Sequence, residues 1–144
     1  MTMIESLLLT DSFAFVLDFI VKLIVAFVIG FVIGLERESR GKDAGISTHS
    51  LVIMGSMLFT YISSFDPVEP SRIAAQVVMG VGFLGGGLIL RDGMSVRNLT
   101  TAASLWFAAA IGMAIGYEFY AVAIVSAITA IIVLRIPHIT EHHH

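Results

Sequence analysis

Long runs without a charged side chain constrain the fold of this 144-residue chain more than any other feature. Four such runs are 16 to 22 residues long and cover residues 44–65, 73–90, 98–117 and 119–134. A helix needs about 20 mostly apolar residues to cross a bilayer. An upstream apolar segment reaches that length if it includes Asp18 and Lys22. The pattern predicts five transmembrane helices, near residues 13–35, 48–65, 72–90, 100–117 and 119–135.

The composition excludes several classes of protein. Only 13% of the residues are charged and 57% are hydrophobic, whereas soluble domains carry about 25% charged residues. A cytosolic enzyme is therefore excluded, because such a chain could not cover itself with polar surface. The net charge of −3 argues against a nucleic-acid partner, and the absence of Cys excludes a disulfide framework. We expect an all-α, polytopic helical bundle whose main partner is the lipid bilayer.

The two ends of the chain differ from this membrane domain, which we place at residues 13–137. Residues 1–12 are expected to lie at the membrane interface, with Asp11 or Ser12 capping the first long helix. Residues 138–144 form a tail, and its three final histidines are more typical of a purification tag than of a metal site.

Basic residues predict the orientation in the membrane. Six of the eight fall on one side, at Arg37, Arg40, Lys42, Arg91, Arg97 and Arg135, and only Lys22 and Arg72 fall on the other. Because short cytoplasmic loops are enriched in Lys and Arg, the first side is predicted to be cytoplasmic. The N-terminus is then outside and the C-terminus inside.

Glycines inside the apolar segments need an explanation, because each destabilises a helix by about 1 kcal/mol relative to Ala. One interpretation is close packing of helices through G-x-x-x-G pairs. The other is a locally irregular third helix that exposes backbone carbonyls to an ion path. The G-x-G-x-x-G sequence within this set lies inside an apolar span, which argues against dinucleotide binding. The predicted packing glycines are Gly30, Gly34, Gly80, Gly82, Gly85, Gly86, Gly112 and Gly116.

Arg72 and Gln76 are four residues apart and share one face of the third helix. Arg72 is able to reach the membrane surface, but Gln76 lies about one turn deeper and needs a partner. That partner is either another helix, through a hydrogen bond, or a polar pathway across the membrane. Asp18 and Lys22 have the same spacing and are expected to pair with each other.

A mixed-sign cluster is predicted at the cytoplasmic ends of the first and third helices. Its members are Glu36, Arg37, Arg40, Arg91, Asp92, Asn98, Thr100 and Thr101. Glu36 and Asp92 are the candidates for metal binding, because Mg²⁺ prefers carboxylate oxygens while it keeps water ligands. No other cofactor is expected. The competing interpretation is that the opposite charges simply pair between the two loops.

The two predicted cytoplasmic loops also resemble each other at an offset of 52 to 53 residues. Gly30-Phe31 and Gly82-Phe83 each precede basic residues, and each loop ends in a hydroxyl pair, Ser47/Thr48 or Thr100/Thr101. We therefore hypothesise a parallel two-helix repeat, an architecture that some transporters use. The hydroxyl pairs would cap the second and fourth helices.

Three stretches resemble the MgtC/SapB family of bacterial inner-membrane proteins. They are GFVIGLERE at 30–38, RIAAQVVMGVGFLGGGLILRDG at 72–93 and SVRNLTTAASLWFAAAIGMAIG at 95–116. The resemblance implies an inner-membrane protein of about five helices associated with adaptation to low magnesium. It also implies a role as a regulator of other membrane machinery. The chain departs from the family pattern at Ser47, His49, Asn98 and Phe107.

Two functions are therefore open at the level of sequence. The first is a regulator or interaction protein that works through helix packing, as a homo-oligomer or with other membrane proteins. The second is a Mg²⁺ transporter or channel, favoured by Gln76, the glycine cluster and the Glu36 and Asp92 carboxylates. An enzyme is not expected, because His49 and His138 have no partners at a recognisable catalytic spacing.

Overall fold

The computed structural model describes the backbone of residues 3–92 and 95–136 and the side chains of residues 13–91 and 96–136. Within these ranges the chain forms five helices and one antiparallel hairpin. The helices are α1 (Met3–Ser39), α2 (Ile46–Ser63), α3 (Arg72–Leu88), α4 (Leu99–Gly116) and α5 (Tyr120–Leu134), and the strands are β1 (Leu90–Asp92) and β2 (Ser95–Arg97). The predicted all-α bundle is confirmed.

Three of the described helices are long and apolar enough to cross a membrane. They are the Phe13–Ser39 part of α1, then α2 and α4. The other two are apolar but shorter, with 17 residues in α3 and 15 in α5. At a rise of about 1.5 Å per residue, these helices extend about 25 Å or less, compared with a hydrocarbon core of about 30 Å.

The structure corrects the predicted helix starts. Helix α1 is continuous from Met3, so it does not begin at Asp11 or Ser12. The N-cap of α2 is Gly45, and neither it nor the N-cap of α4 makes a side-chain capping bond. The hydroxyl pairs Ser47/Thr48 and Thr100/Thr101 therefore lie within the first turns rather than capping them. The predicted tail at residues 138–144 lies outside the described residues.

Helix α2 lies at the centre, where it packs against α1 and α4. Backbone contact is close at these interfaces, because a Cβ added to Gly30 would lie 2.5 Å from Ser50 Cα and one at Gly116 would lie 2.6 Å from Thr60 Cβ. Small residues allow this approach and increase dispersion contact. The core beside these glycines is aliphatic and includes Ala26, Ile33, Ile53, Met57, Ile111 and Ile115.

The two helix pairs of the hypothesised repeat are joined differently. The α1–α2 connection is a short turn at residues 40–45, whereas α3 and α4 are joined through the β1–β2 hairpin. The repeat stays a prediction. The end of α1, the two connections and the end of α5 lie at the same end of the bundle, which we call the basic end. Its basic residues are Arg37, Arg40, Lys42, Arg91, Arg97 and Arg135.

Candidate functional site

Arg37 is the central side chain of the basic end. Helix α1 extends to Ser39, about one turn beyond the end at residue 35 that the apolar run predicts. Arg37 is therefore helical rather than in a loop. Only 1% of its surface is exposed, and its Nη2 donates to Thr101 Oγ1 at 3.1 Å. Its buried Nε has no hydrogen-bond partner among the described residues. Arg37 thus connects α1 to α4 through a cation buried in the bundle.

Glu36 lies beside it and is 7% exposed. Its Oε1 is 3.0 Å from Arg40 Nε, an ion pair between residues four apart on α1. The pair is not aligned as a hydrogen bond, so both Glu36 oxygens lack a hydrogen-bond donor among the described residues. Arg40 also donates from Nη1 to the Leu134 carbonyl at 3.1 Å, which connects α1 to the end of α5. The charges of Glu36 and Arg40 therefore offset each other within one helix.

His49 and Ser104 belong to the same cluster, although the sequence analysis did not include them. His49 is fully buried, with Nδ1 3.1 Å from the Gly45 carbonyl and Nε2 3.2 Å from Ser104 Oγ. A carbonyl only accepts hydrogen bonds, so Nδ1 must carry the hydrogen. Ser104 Oγ also lies 2.7 Å from the Thr101 carbonyl, and its single hydrogen is donated to one of these two acceptors at a time. The available signal was a histidine and a serine inside otherwise apolar helices, which need partners when buried.

The structure describes the side chains of some, but not all, of the predicted site residues around the β1–β2 hairpin. Asn98 Nδ2 donates to Asp43 Oδ2 at 2.6 Å and to the Leu88 carbonyl at 3.2 Å. Thr100 is exposed, and Arg91 pairs through its backbone with Val96 in the hairpin.

The side chain of Asp92 lies outside the described side chains, so the predicted Glu36 and Asp92 metal pair stays a prediction. Among the described residues, no group of three or more His, Asp or Glu side chains is placed to hold a metal ion.

Arg72 and Gln76 lie at the other end of the bundle, where α3 begins. Arg72 is within 3.5 Å of Glu69 Oε2 and 3.9 Å of Asp66 Oδ2 in the preceding loop. The amides of Glu69 and Val68 both donate to Asp66 Oδ1 at 3.0 Å. These backbone hydrogen bonds, with a smaller contribution from Arg72, hold the pKa of the Asp66 carboxyl below its usual value. The structure therefore does not bring Arg72 into the basic end.

Gln76 is exposed on α3 and borders a groove of about 420 Å³ between α2 and α3. The groove is lined mainly by aliphatic and aromatic side chains, with Gly55, Ser56 and Gly80 among its smaller residues. Gln76 makes no contact with the polar residues of the basic end.

The predicted packing glycines fall into two groups. In the first, an added Cβ would meet a neighbouring helix; this group is Gly30, Gly34, Gly112 and Gly116, with Gly85 in looser contact at 3.4 Å from the Ala102 carbonyl. In the second, an added Cβ would meet nothing within 4 Å; this group is Gly80, Gly82 and Gly86, all on α3. Glycines of the first group allow close packing between helices of the bundle. Glycines of the second group face outward or into the groove.

Comparison with known proteins gives a consistent family assignment. Residues 23–142 match the MgtC family. The chain is 47% identical over 114 residues to the Escherichia coli K12 protein named "Putative magnesium transporter YhiD", covering 72% of this chain and 53% of the relative. It is 50% identical over 82 residues to the protein MgtC of Salmonella typhimurium LT2, covering 56% of this chain and 36% of the relative.

The chain therefore spans about half, or less, of the length of the curated relatives that it matches. No solved structure matches it significantly.

Proposed function

The chain belongs to the MgtC family, and from that premise we propose that it is a membrane-embedded interaction protein that regulates magnesium-related membrane machinery. The magnesium association is taken from the name of the relative YhiD and from the family resemblance. We place the protein in the bacterial inner membrane with the basic end on the cytoplasmic side, because six of its eight Lys and Arg residues belong to that side. Its role in this proposal is not enzymatic.

The observation that carries the proposal is the unfilled face of α3. Gln76, Gly80, Phe83 and Gly87 follow the spacing i, i+4, i+7 and i+11, so they lie on one helix face, which we call the α3 face. Gln76 is exposed there, and Phe83 is 84% exposed. Outside the backbone of α3 itself, no atom of the described residues lies within 4 Å of a Cβ added at Gly80 or Gly87.

Glycine destabilises a helix, and a glutamine amide facing lipid lacks partners. A second protein helix packed on this face would offset both effects, through close approach and a hydrogen bond. We propose that this helix comes from a second copy of the chain or from another membrane protein.

The alternative, a Mg²⁺ transporter, needs a polar path with oxygen ligands. The groove beside Gln76 has an almost entirely apolar lining, and the buried carboxylate of Glu36 is offset by Arg40 at 3.0 Å. Both observations favour the interaction protein over the transporter.

The test combines a flux measurement with site-specific crosslinking. The purified chain in proteoliposomes is expected to move no more Mg²⁺ than protein-free vesicles under a pH and voltage gradient. A photo-crosslinking residue at Phe83 is expected to give one discrete adduct in native membranes, whose mass identifies either a second copy or another protein. Val125 on α5 is the matched control, because it is also exposed at 64%.

We expect Gly80→Leu to reduce the Phe83 adduct at least tenfold, and Ala121→Leu on the exposed side of α5 to leave it unchanged. Mg²⁺ flux above the vesicle background would establish the transporter instead. Equal crosslinking from Phe83 and Val125 would contradict the α3 face as an interface.

A further inference from the structure

A pocket of about 630 Å³ with both polar and apolar walls opens at the basic end, where α1 and α5 end and α4 begins. Its polar lining consists of Arg37, Arg40, Lys42, Asn98, Thr100 and Thr101, and we call it the basic pocket. Arg40 and Lys42 are at its exposed side, whereas Arg37 is 1% exposed and forms its inner wall. The known comparisons assign no ligand to these residues.

The charged side chains that line the basic pocket are all basic. Glu36 pairs with Arg40, and Asp43 accepts a hydrogen bond from Asn98. Among the described residues, Glu36 is therefore the one acid that forms an ion pair with any of the three cations lining the pocket, and Arg37 Nε has no hydrogen-bond partner. A buried guanidinium with an unused donor is costly unless an anion or polar group approaches it.

The first turn of α4 adds to this field. Thr100 and Thr101 lie in that turn and line the pocket. Asn98, the N-cap of α4, makes no capping hydrogen bond with its side chain, and the positive end of the helix dipole lies beside the pocket. A helix start of this kind favours phosphate or carboxylate groups.

An apolar groove continues from the basic pocket along α4 and α5. It has a volume of about 390 Å³ and is lined by side chains such as Ala103, Phe107 and Ala130. Thr100, Val133 and Leu134 line both the groove and the basic pocket, so the two spaces are adjacent. Polar and apolar binding surfaces therefore meet at the depth where a lipid changes from headgroup to acyl chain.

We propose that the basic pocket and the adjoining groove bind one anionic phospholipid. Its phosphate lies against Arg37, Arg40 and Lys42, and one acyl chain lies between α4 and α5. Basic pockets between membrane helices on the cytoplasmic side are suited to anionic headgroups. The groove favours a phospholipid over free phosphate, because a free anion would leave those apolar walls uncovered. This proposal is independent of what the α3 face binds and of any role in magnesium adaptation.

Lipid binding is measured on the full chain by native mass spectrometry, with phosphatidylglycerol and phosphatidylethanolamine as the two probes. We expect saturable binding of phosphatidylglycerol, at least tenfold tighter than phosphatidylethanolamine. Lys42→Gln should weaken it about fivefold, since each basic residue near an anionic lipid contributes about 1 kcal/mol. Arg40→Gln should do at least as much. Arg72→Gln at the opposite end is the matched control and should leave binding unchanged.

A second pair of variants tests the groove. Ala130→Phe fills it and should reduce phosphatidylglycerol binding, whereas Ala121→Phe, outside the groove on α5, should not. A thermal unfolding midpoint close to that of the unmodified chain separates lost binding from lost folding.

Inorganic phosphate is the third probe. If phosphate binding persists in Ala130→Phe and lipid binding is not selective, the ligand of the basic pocket is a free anion and not a phospholipid. Equal binding of both lipids would contradict the proposed lipid site. The same affinity for phosphatidylglycerol in Lys42→Gln as in the unmodified chain would also contradict it.

Discussion

Arg37 and Thr101 are 64 positions apart in the chain, yet Arg37 Nη2 donates to Thr101 Oγ1 at 3.1 Å between two almost fully buried side chains. The bond joins the last turns of α1 to the first turn of α4. Because α2 packs against both α1 and α4, the bond joins the two helices that flank α2. A charge in this position is tolerated only with good local partners.

The first prediction concerns that hydrogen bond. Thr101→Val keeps the shape but removes the acceptor, so it leaves a second guanidinium donor unpaired. We expect the free energy of unfolding to fall by about 1–3 kcal/mol, measured by denaturant titration in mild detergent. Thr100→Val is the matched control, because Thr100 is the exposed neighbour. Equal effects of the two substitutions would show that the bond does not contribute.

The second prediction separates the two groups of glycines. A Cβ at Gly34 would lie 2.7 Å from Ile46 N and 2.8 Å from the Gly45 carbonyl. Backbone atoms cannot yield cheaply, so Gly34→Ala should destabilise the bundle by about 1–3 kcal/mol. Gly82→Ala meets open space and should stabilise it by up to about 1 kcal/mol through helix propensity.

The same denaturant titration compares these two variants. Stabilisation by Gly34→Ala would contradict the observed packing of α1 on the start of α2. Destabilisation of the isolated chain by Gly82→Ala would contradict the open space beside this position of α3.

The helices follow from sequence because the absence of charge over 16 to 22 residues is a strong constraint. Predicted and observed bounds agree closely for α3, α4 and α5, since charged or turn residues flank them. The start of α1 is not predicted from the sequence, because Asp11 and Ser12 are typical N-cap residues although the helix continues through them. The β1–β2 hairpin was also missed, since its two three-residue strands carry no clear alternation.

The candidate site was predicted only as a group of residue types. Charge patterns place Glu36, Arg37 and Arg40 at one end of the bundle, and the structure puts them there. They do not show that Arg37 turns inward to Thr101, because that depends on the relative rotation of α1 and α4. His49 and Ser104 were missed for the same reason, since their contact crosses between two helices.

The third prediction concerns Lys22, which is fully buried near the other end of the bundle. It pairs with Asp18 one turn earlier and with Glu118 Oε1 at 3.1 Å, and its Nζ lies 5.1 Å from the Tyr61 ring centroid. Lys22→Met leaves two carboxylates near each other without their cation. We expect a loss of about 1–3 kcal/mol, below the 3–5 kcal/mol of a fully buried pair, because both acids are partly exposed.

The Lys22→Met/Glu118→Gln double variant should recover part of that loss, because it removes the repulsion. Lys22→Arg is the charge-conserving control. If the loss of unfolding free energy in the double variant equals the sum of the losses in the two single variants, Lys22 and Glu118 do not stabilise the fold as an ion pair.

The fourth prediction concerns the pH dependence of the α2–α3 loop. The amides of Glu69 and Val68 donate to Asp66, and they lower its pKa in the folded protein below the ordinary 3.8. A lowered folded-state pKa means that the carboxylate stabilises the loop fully above that ordinary value. The contribution disappears as the pH falls through the lower folded-state pKa.

Hydrogen exchange at the Val68 and Glu69 amides measures this contribution. At neutral pH the two amides should exchange faster in Asp66→Asn than in the unmodified chain, and the difference in rate should vanish in acid. Asp43→Asn, in the α1–α2 connection, should leave the exchange rates of those two amides unchanged. A difference that persists unchanged below pH 2, or that is absent at pH 7, would show that the Asp66 carboxylate does not order this loop.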